Sequence, residues 1–273
     1  MVVLAMPLFR APLDPPIAYS PVGRCIYCPD DGSNGLSDEH IVPYALNGTQ
    51  ILPQASCSRC GGVTSYLDGF AARSVFYQVR SSAGMQTRTR LPDTFPVILT
   101  YPDGREEEAM VPADIHPSTL VLPRFELPGL LSGREPDGNF RFTYTMWTRE
   151  SDAFDEFKRS RGVVSAEVAV SIKPQQIARV LAKTAHAFAV PQLGVDGFSP
   201  LLLDLIHRRV VENAPELVGS DPYPPPPTVG VMHELSLVPH EKFVVVRIRL
   251  FASSSVNEEH AMPVYMVVAG TKL

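Results

Sequence analysis

Long apolar runs are missing from this 273-residue chain. No stretch approaches the roughly 18 consecutive apolar residues of a spanning helix, so no membrane partner is expected. The opening MVVLAMPLFRAPLDPP has no basic leader and carries early prolines. It does not follow the secretory pattern, and a cytoplasmic setting is expected. Charge is scarce as well. Charged residues make up 19% of the chain, against about 25% in typical domains, while hydrophobic residues make up 45%; that balance excludes a disordered or coiled-coil chain. Excess positive charge is absent, and the formal net charge of −5 excludes nucleic-acid binding through general basicity. Any such contact must come from a local patch. Also absent are an internal repeat, a glycine-rich phosphate loop, a GxSxG elbow and an HExxH pair.

Proline, by contrast, is abundant. The 27 prolines are roughly twice the usual share, which predicts short elements and extended loops. Charge divides the chain in two: the first 90 residues hold seven arginines and six acids, and the rest hold 17 basic and 23 acidic residues. The length suits one large domain or two small ones. The expected division is an N-terminal arm over residues 1–20, a module over 21–90 and an α+β domain over 91–273.

Only four cysteines occur, as two CxxC pairs: Cys25 and Cys28, then Cys57 and Cys60, with 28 residues between the pairs. Each spacer lets a tight turn offer two sulfurs to one ion, and two such turns complete the tetrahedral shell that structural Zn2+ prefers. Arg24 and Arg59 flank the pairs, where positive charge offsets four thiolates on one dication. Disulfides and paired redox motifs are the competing readings. The missing secretory pattern and the lack of a thioredoxin-like context weigh against both.

Between the pairs lies the only histidine of the first 115 residues, His40, directly after Asp38 and Glu39. Adjacent acid and imidazole side chains on an extended segment point to opposite sides, so one can hold a metal while the other addresses water.

The strings CIYC, SDEHIVPYALNG and LPQASCSRC, in a match that covers about residues 25–70, resemble the HNH endonuclease superfamily in the branch whose zinc knuckles enclose an acid-His-Ile-Ile/Val-Pro motif. The resemblance implies a ββα-metal unit in which the histidine ends the first strand and a helix starts at or after the second CxxC. It implies His40 as general base for phosphodiester hydrolysis in DNA. It also implies Glu39 as ligand of a catalytic Mg2+ or other divalent cation, with Asp38 as neighbour and substitute. Two departures matter. Gly61 stands where the family often has an Asn or His ligand, so Asp68, two helical turns further on, is the candidate replacement, with Thr64 and Ser65 one turn on. The bracing Asn of the family has Gln54 or Asn47 as candidate counterpart. Asn47 also suits a turn needing positive φ.

From Cys57 to Arg90 there are five arginines, Arg59, Arg73, Arg80, Arg88 and Arg90, against the single acid Asp68. Read as one continuous helix, Leu67, Ala71, Val75 and Val79 form an apolar stripe, and Arg73, Tyr77 and Arg80 lie opposite, where they can meet phosphate. With Arg59 they are the expected nucleic-acid contacts.

Downstream, PVILTY and EEEAMV flank a Pro102-Asp103-Gly104 turn, and RFTYTMW and VVSAEVAVSI continue the strand character. KPQQIARVLAKTAHAFAV predicts a helix with Ile177, Val180, Leu181, Thr184 and Phe188 on its core face and Arg179, Lys183 and His186 on a solvated face. A second helix is expected over SPLLLDLIHRRVVENA, with His207 solvated. DPYPPPP reads as a stiff connection. HELSLV, KFVVVRIRLF and PVYMVVAG close a sheet, with Arg247 and Arg249 on a wet face. Target selection, self-association to a homo-oligomer and partner docking are the expected uses of this part. Beside the nuclease reading stand a zinc-ribbon binding or regulatory protein without catalysis and an oligomeric interaction protein.

Overall fold

The computed structural model describes residues 14–85, 90–149, 151–170, 172–228, 230–252 and 262–273. Arg88 and most of the N-terminal arm therefore lie outside the described residues. The architecture is mixed α+β. Its first part comprises β1 (Ile17–Ala18), β2 (Ser37–His40), β3 (Gln50–Ser56), α1 (Ser58–Arg73) and α2 (Tyr77–Ser82). There follow β4 (Thr94–Thr100), β5 (Glu106–Pro112), β6 (Ser118–Phe125), α3 (Gly129–Ser132), β7 (Phe142–Arg149), α4 (Asp152–Ser160) and β8 (Ser165–Glu167). The last part comprises α5 (Pro174–Leu193), β9 (Phe198–Pro200), α6 (Leu203–Ile206), α7 (Ala214–Leu217), β10 (Val218–Ser220), β11 (His233–Val238), β12 (Phe243–Leu250) and β13 (Val264–Lys272). Strands pair in the orders β1-β3-β2, β5-β4-β8, β6-β7 and β10-β13-β12-β11, with β9 also on β13.

The turn-rich segment before β2 is closed by Asp30 and Asp31, whose carboxylates accept the amides of Gly32 and Ser33 at 2.9 and 3.0 Å. β2 and β3 run antiparallel, pairing Glu39 with Leu52 and His40 with Ile51, and the register shifts between Ser37 and Glu39. At this irregularity Gln54 takes φ 49° and donates its amide to Asp38 Oδ1 at 3.1 Å. A bulge of this kind re-aims the side chains beside it. The connecting loop makes a 3-10 turn over Tyr44–Leu46, ended by Asn47 at φ 63°. Gly48 follows because a Cβ there would lie 2.0 Å from the Val42 carbonyl oxygen.

The single helix expected beyond Gly61 is broken. α1 stops at Arg73, Ser74 leaves helical geometry at φ −123°, and the Ser74 hydroxyl donates back to the Phe70 carbonyl at 2.6 Å. Arg80 holds the break by donating Nη1 to Ala72 O at 2.9 Å and Nε to Ala45 O at 2.5 Å. Arg73, Tyr77 and Arg80 therefore do not share one outer helix face.

α5 forms as expected from Pro174, but it has no solvated side over its middle: every residue from Ile177 to Val190 is buried. Its small and aliphatic residues make it apolar nearly all round, and such a helix belongs inside. It packs against α1, β12, β13 and α6. Arg179, expected in solvent, instead donates to the carbonyls of Leu205 and Ile206 at 3.1 and 2.7 Å. These carbonyls end α6, and Arg208 then turns left-handed at φ 58°. The expected helix over 199–214 is thereby reduced to the short α6 and α7. In the sheet, Arg249 is buried and pairs with Glu234 at 2.8 Å, and the half-buried Arg247 pairs with Asp221 at 3.0 Å. The face expected to be wet is closed at Arg249 and partly open at Arg247. Among the described residues of VVSAEVAVSI, only Ser165–Glu167 is strand.

One core joins Ile26, Leu46 and Leu67 to Leu181, Val246 and Tyr265, so residues before and after position 90 share an interior. A smaller cluster of Val97, Leu99, Val111 and Phe154 lies apart. The shared interior is crossed by His186, whose Nε2–H donates to Ile26 O at 2.7 Å. Burial pulls its pKa from 6.5 down to about 4. The unfolded chain takes up this proton at higher pH than the folded chain does, so stability is full above about 6.5 and falls as pH drops toward about 4. Urea unfolding at pH 7 and pH 5 is expected to show this loss. His186→Gln, which keeps a donor and does not titrate, should reduce the acid slope by about one proton.

Candidate functional site

Two neighbouring sites emerge on the β2-β3-α1 segment. The first is the cysteine cluster. Cys25 and Cys28 lie on the loop before β2. Cys57 is the N-cap of α1 and Cys60 sits in its first turn. The four sulfurs lie within 4.8 Å of one another, and Cys28 and Cys57 are 3.7 Å apart. A tetrahedral ion with metal–sulfur bonds of about 2.3 Å places its sulfurs about 3.8 Å apart, whereas a disulfide needs about 2.05 Å. All four cysteines are free. The donor set and spacing fit a metal ion such as Zn2+.

The thiols are not equivalent. Burial raises Cys25 and Cys60 above the ordinary thiol range. At Cys28 burial acts the same way but is outweighed by hydrogen bonds from the Asp30 backbone, Cys60, Cys25 and Arg59, which bring the thiol down to about 7. Arg59 is in turn raised, first by its bond to Cys28 and then by the charges of Cys28 and Cys60. The Cys28 thiol is thus the one held lowest, beside the Arg59 cation, and a dication bound by the four sulfurs would complete the neutralisation.

The later chain closes over this loop. His186 donates to Ile26 O, and His207 Nε2 lies 3.1 Å from Tyr27 O and 3.9 Å from Cys60 Sγ. Both imidazoles hold peptide groups between Cys25 and Cys28. His233 does the same for the hairpin loop, 2.6 Å from Leu46 O. Neither His186 nor His207 is the solvated residue expected. The available signal was the setting of Lys183 and His186: polar residues inside an otherwise apolar run must be paired when that run is buried.

The second site is a cleft of about 540 Å³ between the hairpin and α1, lined by Asp38, Glu39, His40, Gly61, Asp68 and Arg73 among others. His40 ends β2, is half-buried, and meets Tyr44 edge-on with ring centres 5.6 Å apart. Asp38 is exposed and Glu39 is buried. The carboxylates of Glu39 and Asp68, expected as ligands of a divalent ion, meet around Lys183, a residue expected on a solvated face. Lys183 Nζ lies 2.7 Å from Glu39 Oε1 and 3.2 Å from Asp68 Oδ1, and also donates to the carbonyl of His40. Thr64 donates to the second Glu39 oxygen at 3.1 Å. Burial alone lowers the Lys183 pKa, but the charges and hydrogen bonds of Asp68 and Glu39 outweigh it, and the net shift is upward.

Among the arginines, Arg59 and Arg73 are exposed, while Arg80 is buried in its backbone contacts. Arg73 pairs with no carboxylate among the described residues. Tyr77 is half-buried, its ring 5.0 Å from that of Phe95. Gly61 lines the cleft with its would-be Cβ 3.5 Å from Ser56 Oγ, ordinary contact, so a side chain has room there and is simply absent. Among the described residues no helix is long and apolar enough to cross a membrane. No family profile matches the chain, and no curated protein and no solved structure matches it either.

The cysteine cluster generates a direct expectation. Native mass spectrometry should find one Zn2+ per chain. Cys60→Ser should lose it, with a fall in melting temperature of at least about 10 °C, because structural zinc contributes on the order of 10 kcal/mol.

Proposed function

We propose that the chain is an HNH-type endonuclease that hydrolyses phosphodiester bonds of DNA with His40 as general base. The observation that carries this reading is the half-buried His40 at the end of β2, opening into a cleft beside the four-sulfur cluster. The order β2, β3, α1, with α1 starting inside the second CxxC pair, supports it.

The chemistry follows from the cleft's own residues. Neutral imidazole, with a pKa ordinarily near 6.5, takes the proton of a water whose oxygen attacks phosphorus. The P–O3′ bond breaks as the new P–O bond forms, and the leaving O3′ takes a proton from solvent water in the open cleft. Arg73, exposed at the same cleft, is the cation that faces the phosphate and the negative charge growing on it. Arg59 adds a second phosphate contact further along.

The Mg2+ implied by the resemblance finds a poor fit. A divalent ion of this kind takes carboxylate and other oxygen ligands at about 2.0–2.1 Å in octahedral array. Here both Glu39 oxygens are engaged, by Lys183 and Thr64. Asp68 faces the same ammonium, Asp38 accepts from the Gln54 amide, and Gly61 offers no side chain. No step is assigned to a divalent ion.

The same features favour a second reading: a zinc-dependent DNA-binding protein that keeps the scaffold and does not cut. Incubating plasmid with the protein, with and without added Mg2+, separates the two. Under the nuclease reading the wild type nicks, and His40→Ala lowers the rate by about 10²–10⁴-fold. Equal nicking by both proteins removes His40 from the chemistry. No nicking with salt-dependent binding favours the second reading; two arginine contacts predict a logarithmic salt slope of about −2, reduced by about one in Arg73→Ala.

A further inference from the structure

We infer that Lys183 is the resident cation of the Glu39–Asp68 pair and keeps a divalent ion out of it. The ammonium is wholly buried, with side-chain exposure of 0%, and lies between a carboxylate on β2 and one on α1. It also holds the carbonyl of His40. A lysine ammonium has three donors, and these three partners account for them. The point at which the two carboxylates converge is therefore filled by a group that carries positive charge and satisfies the geometry.

Two consequences follow. The acid pair stays together without metal, because like charges brought this close need a cation between them. A dication bound to the same oxygens would also lie within a few ångströms of the ammonium, where repulsion in a poorly solvated setting is strong. Lys183 thus does in this chain what metal coordination does elsewhere. It neutralises the acids, and through the His40 carbonyl it fixes the backbone that carries the imidazole. It is a positioning residue supplied from position 183 to a hairpin ending at position 40, which makes the cleft a product of both parts of the chain.

The inference concerns the cleft assigned to hydrolysis and rests on that reading for its catalytic consequence. Its test does not depend on cleavage. Zinc-loaded full-length protein is titrated with Mn2+ and followed by electron paramagnetic resonance, comparing wild type, Asp68→Asn, Lys183→Met, and Lys183→Met with Asp68→Asn. The expected result is no Mn2+ binding in wild type that Asp68→Asn removes. Lys183→Met should gain a site at least tenfold tighter than anything seen in wild type, and adding Asp68→Asn should abolish it. A purely structural lysine would yield no such gain. Wild-type binding that Asp68→Asn removes would overturn the inference, as would a folded Lys183→Met protein that gains no site. If Lys183→Met does not fold, the comparison of wild type with Asp68→Asn decides alone. Absence of nicking would count against the nuclease reading and leave these binding results standing.

Discussion

An ammonium sealed from water between two carboxylates and a strand carbonyl joins the hairpin to the central helix. Lys183 sits on a helix that the surrounding core buries throughout its middle, so its charge has nowhere to go but onto Glu39 and Asp68. Burying such a group costs several kcal/mol in lost hydration, and the attraction of two carboxylates offsets it only while the geometry holds. Removal of the lysine leaves two like charges without their cation, which typically costs about 3–5 kcal/mol. The position of β2 relative to α1, and with it the position of His40, depends on this arrangement.

The other polar contacts of the buried interior follow the same logic. His186, His207 and His233 come from elements far along the chain and meet Ile26 O, Tyr27 O and Leu46 O. These carbonyls belong to loops, which have no strand partner to satisfy them. The later part of the chain thus supplies donors for irregular backbone that the short cysteine-bearing segment cannot satisfy by itself. An ion held by the four sulfurs would be coupled to folding of the interior through those contacts, because His186 and His207 hold the peptide groups between Cys25 and Cys28.

The sequence made some of this legible. The two-residue spacer within each CxxC pair is local and legible, and the β2–β3 hairpin brings the second pair to the first. The turn at Pro102-Asp103-Gly104 and the start of α5 at Pro174 are likewise local chemistry. Asn47 takes the left-handed turn that its side chain tolerates. What could not be read depended on contacts distant in sequence. The break after Arg73 is held by Arg80 reaching back to Ala72 and Ala45, and the truncation of α6 by Arg179. Period-3.6 patterning assigned Lys183 and His186 to solvent because it assumes one wet face, whereas α5 has none over its buried middle. The sequence places Glu39 and Asp68 as ligands of a divalent ion; in the fold they meet around the ammonium of Lys183, which local patterning cannot bring to them from 115 residues away.

The most direct measurement of the central claim is a double-mutant cycle between Lys183→Met and Glu39→Gln, followed by urea unfolding at pH 7. The account predicts that Lys183→Met costs about 3–5 kcal/mol in the wild type and distinctly less in the Glu39→Gln background, because the lysine-free protein then holds one buried carboxylate instead of two. Simple additivity of the two costs would show that Lys183 and Glu39 do not depend on one another, and would contradict the account.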